Sequence, residues 1–531
     1  MRNHAFALVL PALAALPAAS TTSAPTTEVW LALAPPSLCI ERPASSRAGF
    51  GDGRHLQRAQ HGSDLEHEPR VARLSGALWA QMLEEDARAR GAKLEFFRGT
   101  QDPLVRGDAA AVAAARALTS DLDRAGRAFA IDVEATLTSG SARGAQQPGA
   151  APQHFTARLG SGDAALLGRR EVQTYVASFH VEVAADSGVA EPVMGSIRYG
   201  TTLYVRAARV DGGKRVFLHG VLDVAELASI GSFDPDTVDL GVVQQPIVHS
   251  AQAVFAGTVE SGKTLDVTLA SPLLSSGEWT LALRATAQPD AEPESEGGWR
   301  LFDLAFLASE TSPLEPCRPG SALDTDFLAS VPTSVAALSP SAIVAALDVT
   351  RARSGTRPSI LWTSDLLLVP RAEAGLAERA SELIRAAESS RLRTGRVELR
   401  VGAARTSLPV CAGVPARWTS VVERAWLTDY QADLAPQTWM PRPDVTTTLD
   451  GVCSTIVPGA SSIQCSSWSA ATSASGELER NAAQLGRLQL ITRRVTTAAT
   501  ELVPGEPERA LIECLGPAPQ NGAVVVRYVS P

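Results

Sequence analysis

Lysine is nearly missing from this chain. Lys93, Lys214 and Lys263 are the whole supply, and arginine carries the rest of the 48 basic residues. With 57 acidic residues the formal net charge is −9. A nucleic-acid binder presents a basic face, so this balance excludes nucleic acid as a partner. Aromatic residues make up 5% of the chain, which leaves no aromatic girdle of the kind that frames a membrane barrel. After the N-terminal residues no apolar run reaches the ~20 residues that a transmembrane helix needs. No C-x-x-C pair occurs, so a zinc ribbon and a thioredoxin motif are both unsupported. No G-x-S-x-G, H-E-x-x-H or Ser/His/Asp constellation stands out. The chain is therefore expected to be no enzyme, with no catalytic, cofactor-binding or metal-ligating residue to assign and no cofactor.

What is present is ordinary globular material. The 531 residues are 45% hydrophobic and 20% charged, enough for several domains at ~150 residues each. Arg2 and His4 precede an apolar run from Ala5 to Leu16, and Pro17-Ala18-Ala19-Ser20 follows. That order is the pattern of a secretory signal peptide, so residues 1–22 read as a leader and the rest as an exported chain. Residues 23–68 are poor in large apolar side chains over most of their length and read as an exported linker. His55, His61 and His67 lie there at a spacing that fits no common ligand pattern. The cysteines are Cys39, Cys317, Cys411, Cys453, Cys465 and Cys514. An even number in an exported chain is compatible with disulfides. Cys453 and Cys465 flank the turn at Pro458-Gly459, so a disulfide between them is the preferred pairing, with unpaired buried thiols as the alternative.

The pattern of elements repeats. A helix is expected over Arg70–Arg90, followed by short strands, an Ala-rich helix capped by Asp108 and ended by Gly126, and an alternating strand at Phe129–Glu134. Residues 339–401 give the same order: a helix opened by Ser339-Pro340, a strand at Ser359–Val369, a helix over Ala372–Ser390 broken by Gly395, and a strand at Val397–Val401. Phe179–Ala184 lies 251 residues before Tyr430–Ala435, and Tyr199-Gly200 lies 251 before Asp450-Gly451. Asp211-Gly212-Gly213 is a hairpin turn whose counterpart is Pro458-Gly459. A spacing kept over this distance predicts two tandem copies of one unit.

The first of these units resembles the secretin N-domain. The words that carry the likeness are Leu104-Val105-Arg106-Gly107-Asp108, Leu122-Asp123-Arg124-Ala125 and Ala130–Ala135. The stretch after it, from Tyr175–Ala184 through Ala190–Gly195 and Gly200–Leu203 to Gln245–Val248, resembles the secretin-like β-domain of type II and type III secretion pores. The chain has no counterpart of the Pro-x-Leu-Gly-x-x-Pro lip segment. The resemblance implies an α+β fold: two copies of a small α/β module, each followed by a β-rich module. The boundaries are 69–138 and 150–310 for the first copy, and 325–402 and 403–531 for the second. It further implies a structural or assembly protein of the bacterial cell envelope, in the periplasm or outer membrane. Protein partners or self-association and outer-membrane association are then expected. A soluble exported binding protein that keeps the fold without a pore is the alternative, and a secreted hydrolase ranks third.

Some features admit a sharper reading. Gly257–Thr264 satisfies G-x-x-x-x-G-K-T, the phosphate-cradling loop. That chemistry needs a helix after the loop, whereas Leu265–Leu269 alternates as a strand, so a hairpin turn and no nucleotide are expected. His180 and His219 read as strand residues. Asp234 and Asp236 read as a turn, with calcium as the sharper alternative. Trp362, Trp418, Trp426, Trp439 and Trp468 gather late in the chain, either as core or as a contact face.

Overall fold

The computed structural model describes residues 28–33, 36, 42–43, 56–57, 70–71, 74–97, 104–140, 151–183, 188–234, 241–288, 299–308, 340–351, 360–363, 365–370, 374–435, 438–459, 462–479, 487–503, 507–513 and 523–529. The leader at 1–22, the three linker histidines, Asp236, Cys39, Cys317 and Cys514 lie outside them.

In chain order the first half runs β1 (Glu28–Ala32), β2 (Arg42–Pro43), β3 (Leu56–Gln57), β4 (Arg70–Val71), α1 (Gly76–Ala89), β5 (Leu94–Phe97), β6 (Leu104–Asp108), α2 (Ala109–Ala128), β7 (Ala130–Ser139) and β8 (Gln153–Gly160). It continues with β9 (Ala164–Val183), β10 (Gly188–Val210), β11 (Arg215–Phe233), β12 (Val243–Glu260), β13 (Thr264–Ala270) and β14 (Glu278–Ala287). Then come β15 (Trp299–Asp303), α3 (Ala305–Ala308), α4 (Pro340–Arg351), β16 (Leu361–Trp362), β17 (Leu366–Pro370), α5 (Ala374–Arg391), β18 (Thr394–Val401) and β19 (Ala404–Cys411). The chain closes with β20 (Ala416–Ala435), β21 (Thr438–Pro458), β22 (Ile463–Glu479), β23 (Arg487–Leu502), β24 (Arg509–Glu513) and β25 (Ala523–Val529).

Two large antiparallel sheets dominate, so the fold is mostly β with a minority of helix. The long sheet runs β23-β22-β21-β20-β12-β11-β10, with β9 on the outer side of β10. Apart from the two-residue β3, which pairs with β10 at Ser196 and Ile197, its strands are 16 to 23 residues long, against ~5–6 for an average strand. The short sheet runs β24-β25-β18-β19-β13-β14-β7-β8. The two sheets face each other across one core, where Leu203, Leu222, Phe255 and Trp418 of the long sheet meet Val133, Leu281, Leu283, Leu399 and Val526 of the short one. Each such side chain taken out of water contributes ~1.5–3 kcal/mol, and the alternation of β7 and β14 shows why only one of their faces is apolar.

Two small helical layers sit beside the sheets. Ser75 caps α1 by accepting from the Leu78 N–H at 3.1 Å, and Asp108 caps α2 by accepting from the Ala111 N–H at 2.7 Å. Trp79, Met82 and Leu83 of α1 pack on Val112, Leu118 and Leu122 of α2, over Val105 and Leu31. In the second layer Ile343 and Leu347 of α4 and Ala380 and Ile384 of α5 pack with Leu367 and Val369, and reach Val210 and Phe217 at the end of the β10–β11 hairpin.

Several expectations are corrected. The first helix starts at Gly76 rather than Arg70, because the Ser75 side chain supplies the cap. Gly126 does not end α2, which runs on to Ala128, where the Phe129 N–H closes on the Ala125 carbonyl. Gly395 breaks no helix. It lies in β18, opposite Val410, where a side chain would collide with the Tyr528 ring. Ser359–Val369 is not one strand: Thr363 and Asp365 turn the chain between β16 and β17. Inside the stretch read as linker, Glu28–Ala32 forms a full strand paired with β6. Trp299–Asp303, assigned to the first β-rich module, pairs with β17 instead.

The disulfide is corrected too. The β21–β22 register sets Cys453 opposite Trp468 and Cys465 opposite Ile456. Those positions differ by an odd number of residues, so the two thiols leave opposite faces of the sheet. Cys465 joins the inter-sheet core while Cys453 packs with Val421 and Leu449. No disulfide joins them.

Candidate assembly junction

The long sheet is made of two four-stranded blocks, β9–β12 and β20–β23, that meet at one seam. There β12 pairs antiparallel with β20 from Ile247 opposite Arg424 to Val254 opposite Arg417. Both strands are buried on both faces at the seam: residues 250–257 on one side and 417–423 on the other. A strand covered on both faces reads as a nearly unbroken apolar or small run. His249-Ser-Ala-Gln-Ala-Val-Phe-Ala256 is such a run, and it was the signal in the sequence that could have placed this seam.

Polar groups inside the seam fix its alignment. Thr202, Asp223, Gln252 and Thr419 stand side by side across four strands, all of them buried. Arg417 and Glu423 are buried as well, at 0% and 1% exposure. A slip of one residue would turn all of these into the apolar inter-sheet core. Beneath the seam the Trp418 indole N–H donates to the Ala270 carbonyl at 3.1 Å, and the Ser420 and Ser271 hydroxyls bond at 2.7 Å. The short sheet crosses the same boundary, with Thr268 of β13 opposite Ser407 of β19.

One row of paired residues crosses the entire long sheet: Arg170, Gly200, Ala225, Ser250, Val421, Gly451, Ala470 and Val495. Gly200 and Gly451 both take a left-handed φ, +116° and +134°, and each lies so near the preceding strand that a Cβ would meet the carbonyl oxygen of Arg169 at 2.3 Å or of Ser420 at 2.2 Å. Both blocks also carry a β-bulge at matching places, where Ala177 and Thr428 are skipped by the register. Partial desolvation lowers the pKa of Arg170, with Arg198 adding to that shift and Asp223 opposing it.

The upper ends of the long strands curl inward. The Ser178 hydroxyl donates to the Pro443 carbonyl at 2.6 Å, and the Gln244 side chain accepts from the Val176 N–H at 2.7 Å. Gln489 accepts from the Leu427 N–H at 3.0 Å and from the Gln245 amide at 2.6 Å. The lower stretches of the outermost strands stay open. Residues 168–174 of β9 and 494–497 of β23 are exposed on both faces, although their counterparts at the seam are buried. Large apolar side chains stand out there: Leu166 and Val172 on β9, and Val495 on β23.

The other singled-out residues scatter. Gly257–Thr264 is the end of β12, a tight turn and the start of β13, with the Lys263 N–H on the Glu260 carbonyl at 2.9 Å. No helix begins there, so its amides cannot form a phosphate cradle. His219 lies on β11 opposite Arg206, and burial, then Arg206, push its pKa to about 4. His180 is exposed near Glu182. Trp418, Trp426 and Trp468 are core, while Trp362 is 44% exposed. Among the described residues no group of three or more His, Cys, Asp and Glu side chains gathers as metal ligands would. No described helix is long and apolar enough to cross a membrane, which says nothing of crossing by strands.

No family profile and no curated protein matches this sequence. Solved structures give a distant likeness. The secretin-domain β-barrel of InvG from the Salmonella SPI-1 injectisome aligns at 13% identity and a TM-score of 0.21, covering 45% of this chain and 89% of that one. The secretin InvG from the same injectisome aligns at 14% identity and 0.21, covering 43% and 82%. InvG in the basal body with PrgH and PrgK aligns at 14% and 0.21, covering 43% and 58%. At these scores the likeness carries no argument.

Proposed function

We propose that this chain is an exported, non-enzymatic structural protein of the bacterial cell envelope. On this reading it is secretin-like, made of two tandem copies of one unit, and works by assembling with protein partners or with itself in the periplasm or outer membrane. It belongs to, or derives from, a type II or type III secretion apparatus. The observation that carries the reading is the row from Arg170 to Val495, which repeats its geometry after four strands, glycine for glycine and bulge for bulge. A unit joined head to tail to a second like itself is a heterologous contact, the kind that closes into rings when its rotation permits. The long strands support the reading as well, since they give the seam eight residues of continuous pairing, from Ile247 to Val254.

The test is cell fractionation with the native mass of the extracted protein. The expected result is an envelope-bound, heat-stable assembly many times the 55.7 kDa of the chain. A soluble monomer overturns the reading and favours an exported binding protein that keeps the fold alone.

A further inference from the structure

We infer that the contact between α5 and the β10–β11 turn is a proton-sensitive joint: the second helical layer is held against the long sheet while the Glu388 carboxyl carries its proton, and is loosened from it when that carboxyl ionises. The joint lies within one chain, so it stands or falls apart from the proposed assembly.

The turn is strained and fixed on one side. Asp211, Gly212 and Gly213 take left-handed φ values of +53°, +63° and +83° in succession. Among the described residues Asp211 is the only one other than glycine to do so, and such a residue keeps that conformation only where its surroundings impose it. Arg209 supplies part of those surroundings. Its guanidinium donates to the Gln288 carbonyl at 2.9 Å and to the Gly212 carbonyl at 3.4 Å, and lies 5.1 Å from the centre of the Phe129 ring. A Cβ on Gly213 would collide with both that guanidinium and the Gln288 carbonyl. The turn is thus tied to the ends of β14 and α2, with no room to withdraw towards them.

On the other side stands α5. Glu388, 6% exposed, accepts from the Asp211 N–H at 3.1 Å. Val210 and Phe217 at the end of the hairpin share a core there with Leu304, Phe306 and Ile384. The charges that reach Glu388 are Asp303 from the end of β15, Asp211 from the turn and Arg215 from the start of β11. Arg391, three residues on along α5, is taken up by the Phe306 and Leu307 carbonyls. Lys214 in the turn is exposed. No charged side chain comes from α3, from β17 or from residues 341–347 of α4.

A buried carboxyl therefore faces two other carboxylates and one arginine. Neutral, it suits that place. Ionised, it is a third negative charge cut off from water. Burial pushes its pKa up to about 7, with Asp303 and Asp211 adding to the rise and the Asp211 N–H and Arg215 opposing it. An ionised group so placed is relieved by letting water in. Because the turn is fixed on its far side, α5 is the element that gives way. A group whose folded pKa is raised lends stability at low pH and loses it as pH rises through that value, so the joint is tight in acid and loosens above about pH 7. The β11–β12 ladder, which runs from Arg215 to Phe233, serves as the part of the fold that should not respond.

The test is amide hydrogen exchange of the full-length chain at a series of pH values, corrected for the intrinsic rise of exchange with pH. Between about pH 5 and about pH 8, peptides from residues 374–391 and 211–213 should lose protection on the order of tenfold or more, while peptides from β11 and β12 keep theirs. Glu388→Gln keeps an oxygen acceptor and cannot ionise, so its helical peptides should hold their protection across the range. Asp303→Asn removes one of the two opposing carboxylates and keeps the Oδ1 that accepts from the Ala305 N–H at 3.0 Å. It should shrink the loss and make it level off at a lower pH, and this second variant serves if Glu388→Gln fails to fold. Unchanged protection in the parent, an equal loss in β11 and β12, or the full loss in a folded Glu388→Gln chain would each overturn the joint and leave the assembly reading untouched.

Discussion

Gly200 and Gly451 stand 251 residues apart, and each holds the backbone of its strand against the strand before it. A Cβ at Gly200 would sit 2.3 Å from the Arg169 oxygen, and one at Gly451 would sit 2.2 Å from the Ser420 oxygen. Both residues need a left-handed φ, which glycine adopts without steric cost. The two blocks of the long sheet are pinched at the same point by the same device.

Alanine at Gly451 should therefore unsettle the seam directly. Strain at the backbone alone costs ~1–3 kcal/mol, and the collision adds to it. Gly451→Ala is expected to lower the midpoint of denaturant unfolding clearly. Gly375→Ala, where no atom lies within 4 Å of the added carbon, should leave it nearly unchanged. Equal midpoints for the two would contradict the role given to the pinch.

Trp418 joins the two sheets at the seam, filling the core and donating to the Ala270 carbonyl. Trp418→Ala should cost ~3–5 kcal/mol, the range for emptying a large aromatic site. The Ala270 carbonyl keeps the Thr406 hydroxyl as a donor at 3.1 Å, so the loss should come mainly from the cavity. Urea unfolding of the purified variant measures it, and Trp362→Ala at the exposed tryptophan is the control expected near zero.

Glu388 links α5 to the β10–β11 turn, accepting from the Asp211 N–H at 3.1 Å. Burial pushes its carboxyl up from 4.5 to about 7, with Asp303 and Asp211 adding to the rise and the Asp211 N–H and Arg215 opposing it. The folded chain thus holds this proton more tightly than the unfolded one. The stability it contributes is present below pH ~4.5 and is lost as pH rises through about 7. Glu388→Gln should remove that slope, and relative to the parent should be stabilising by up to ~3 kcal/mol at pH 8. Denaturation midpoints taken from pH 5 to 8 give the comparison, and parallel curves for parent and variant would refute it.

Cys411 and Cys465 are buried thiols, and burial pushes the pKa of each up to about 12. Their thiolate fraction at neutral pH is minute, so both should resist alkylation until the chain unfolds. Peptide mass mapping without reductant should recover the Cys453 and Cys465 peptides unlinked. A linked pair would mean that the hairpin register is wrong.

Much of the architecture was legible beforehand because it is local. Asp108 announces α2 by its cap, and the alternation of Ile131 and Val133 announces β7. The 251-residue spacing of Tyr199-Gly200 and Asp450-Gly451 matched two strands that do occupy equivalent rows. What was not legible is non-local. Glu28–Ala32 has no flanking signal, because its partner β6 lies more than 70 residues on. Trp299–Asp303 changed sides for the same reason. The Cys453–Cys465 pairing failed on register, which a turn's position limits but does not fix. The run His249–Ala256 marks β12 as covered on both faces, but nothing in it names β20 as its neighbour.

The central claim is that one chain holds two equivalent units of an assembly. Electron microscopy of the native assembly tests it most directly. The account predicts an assembly whose repeating unit is half a chain, so that its apparent rotational order is twice the number of chains. Particles that are single chains, or assemblies whose rotational order equals the number of chains, would contradict it.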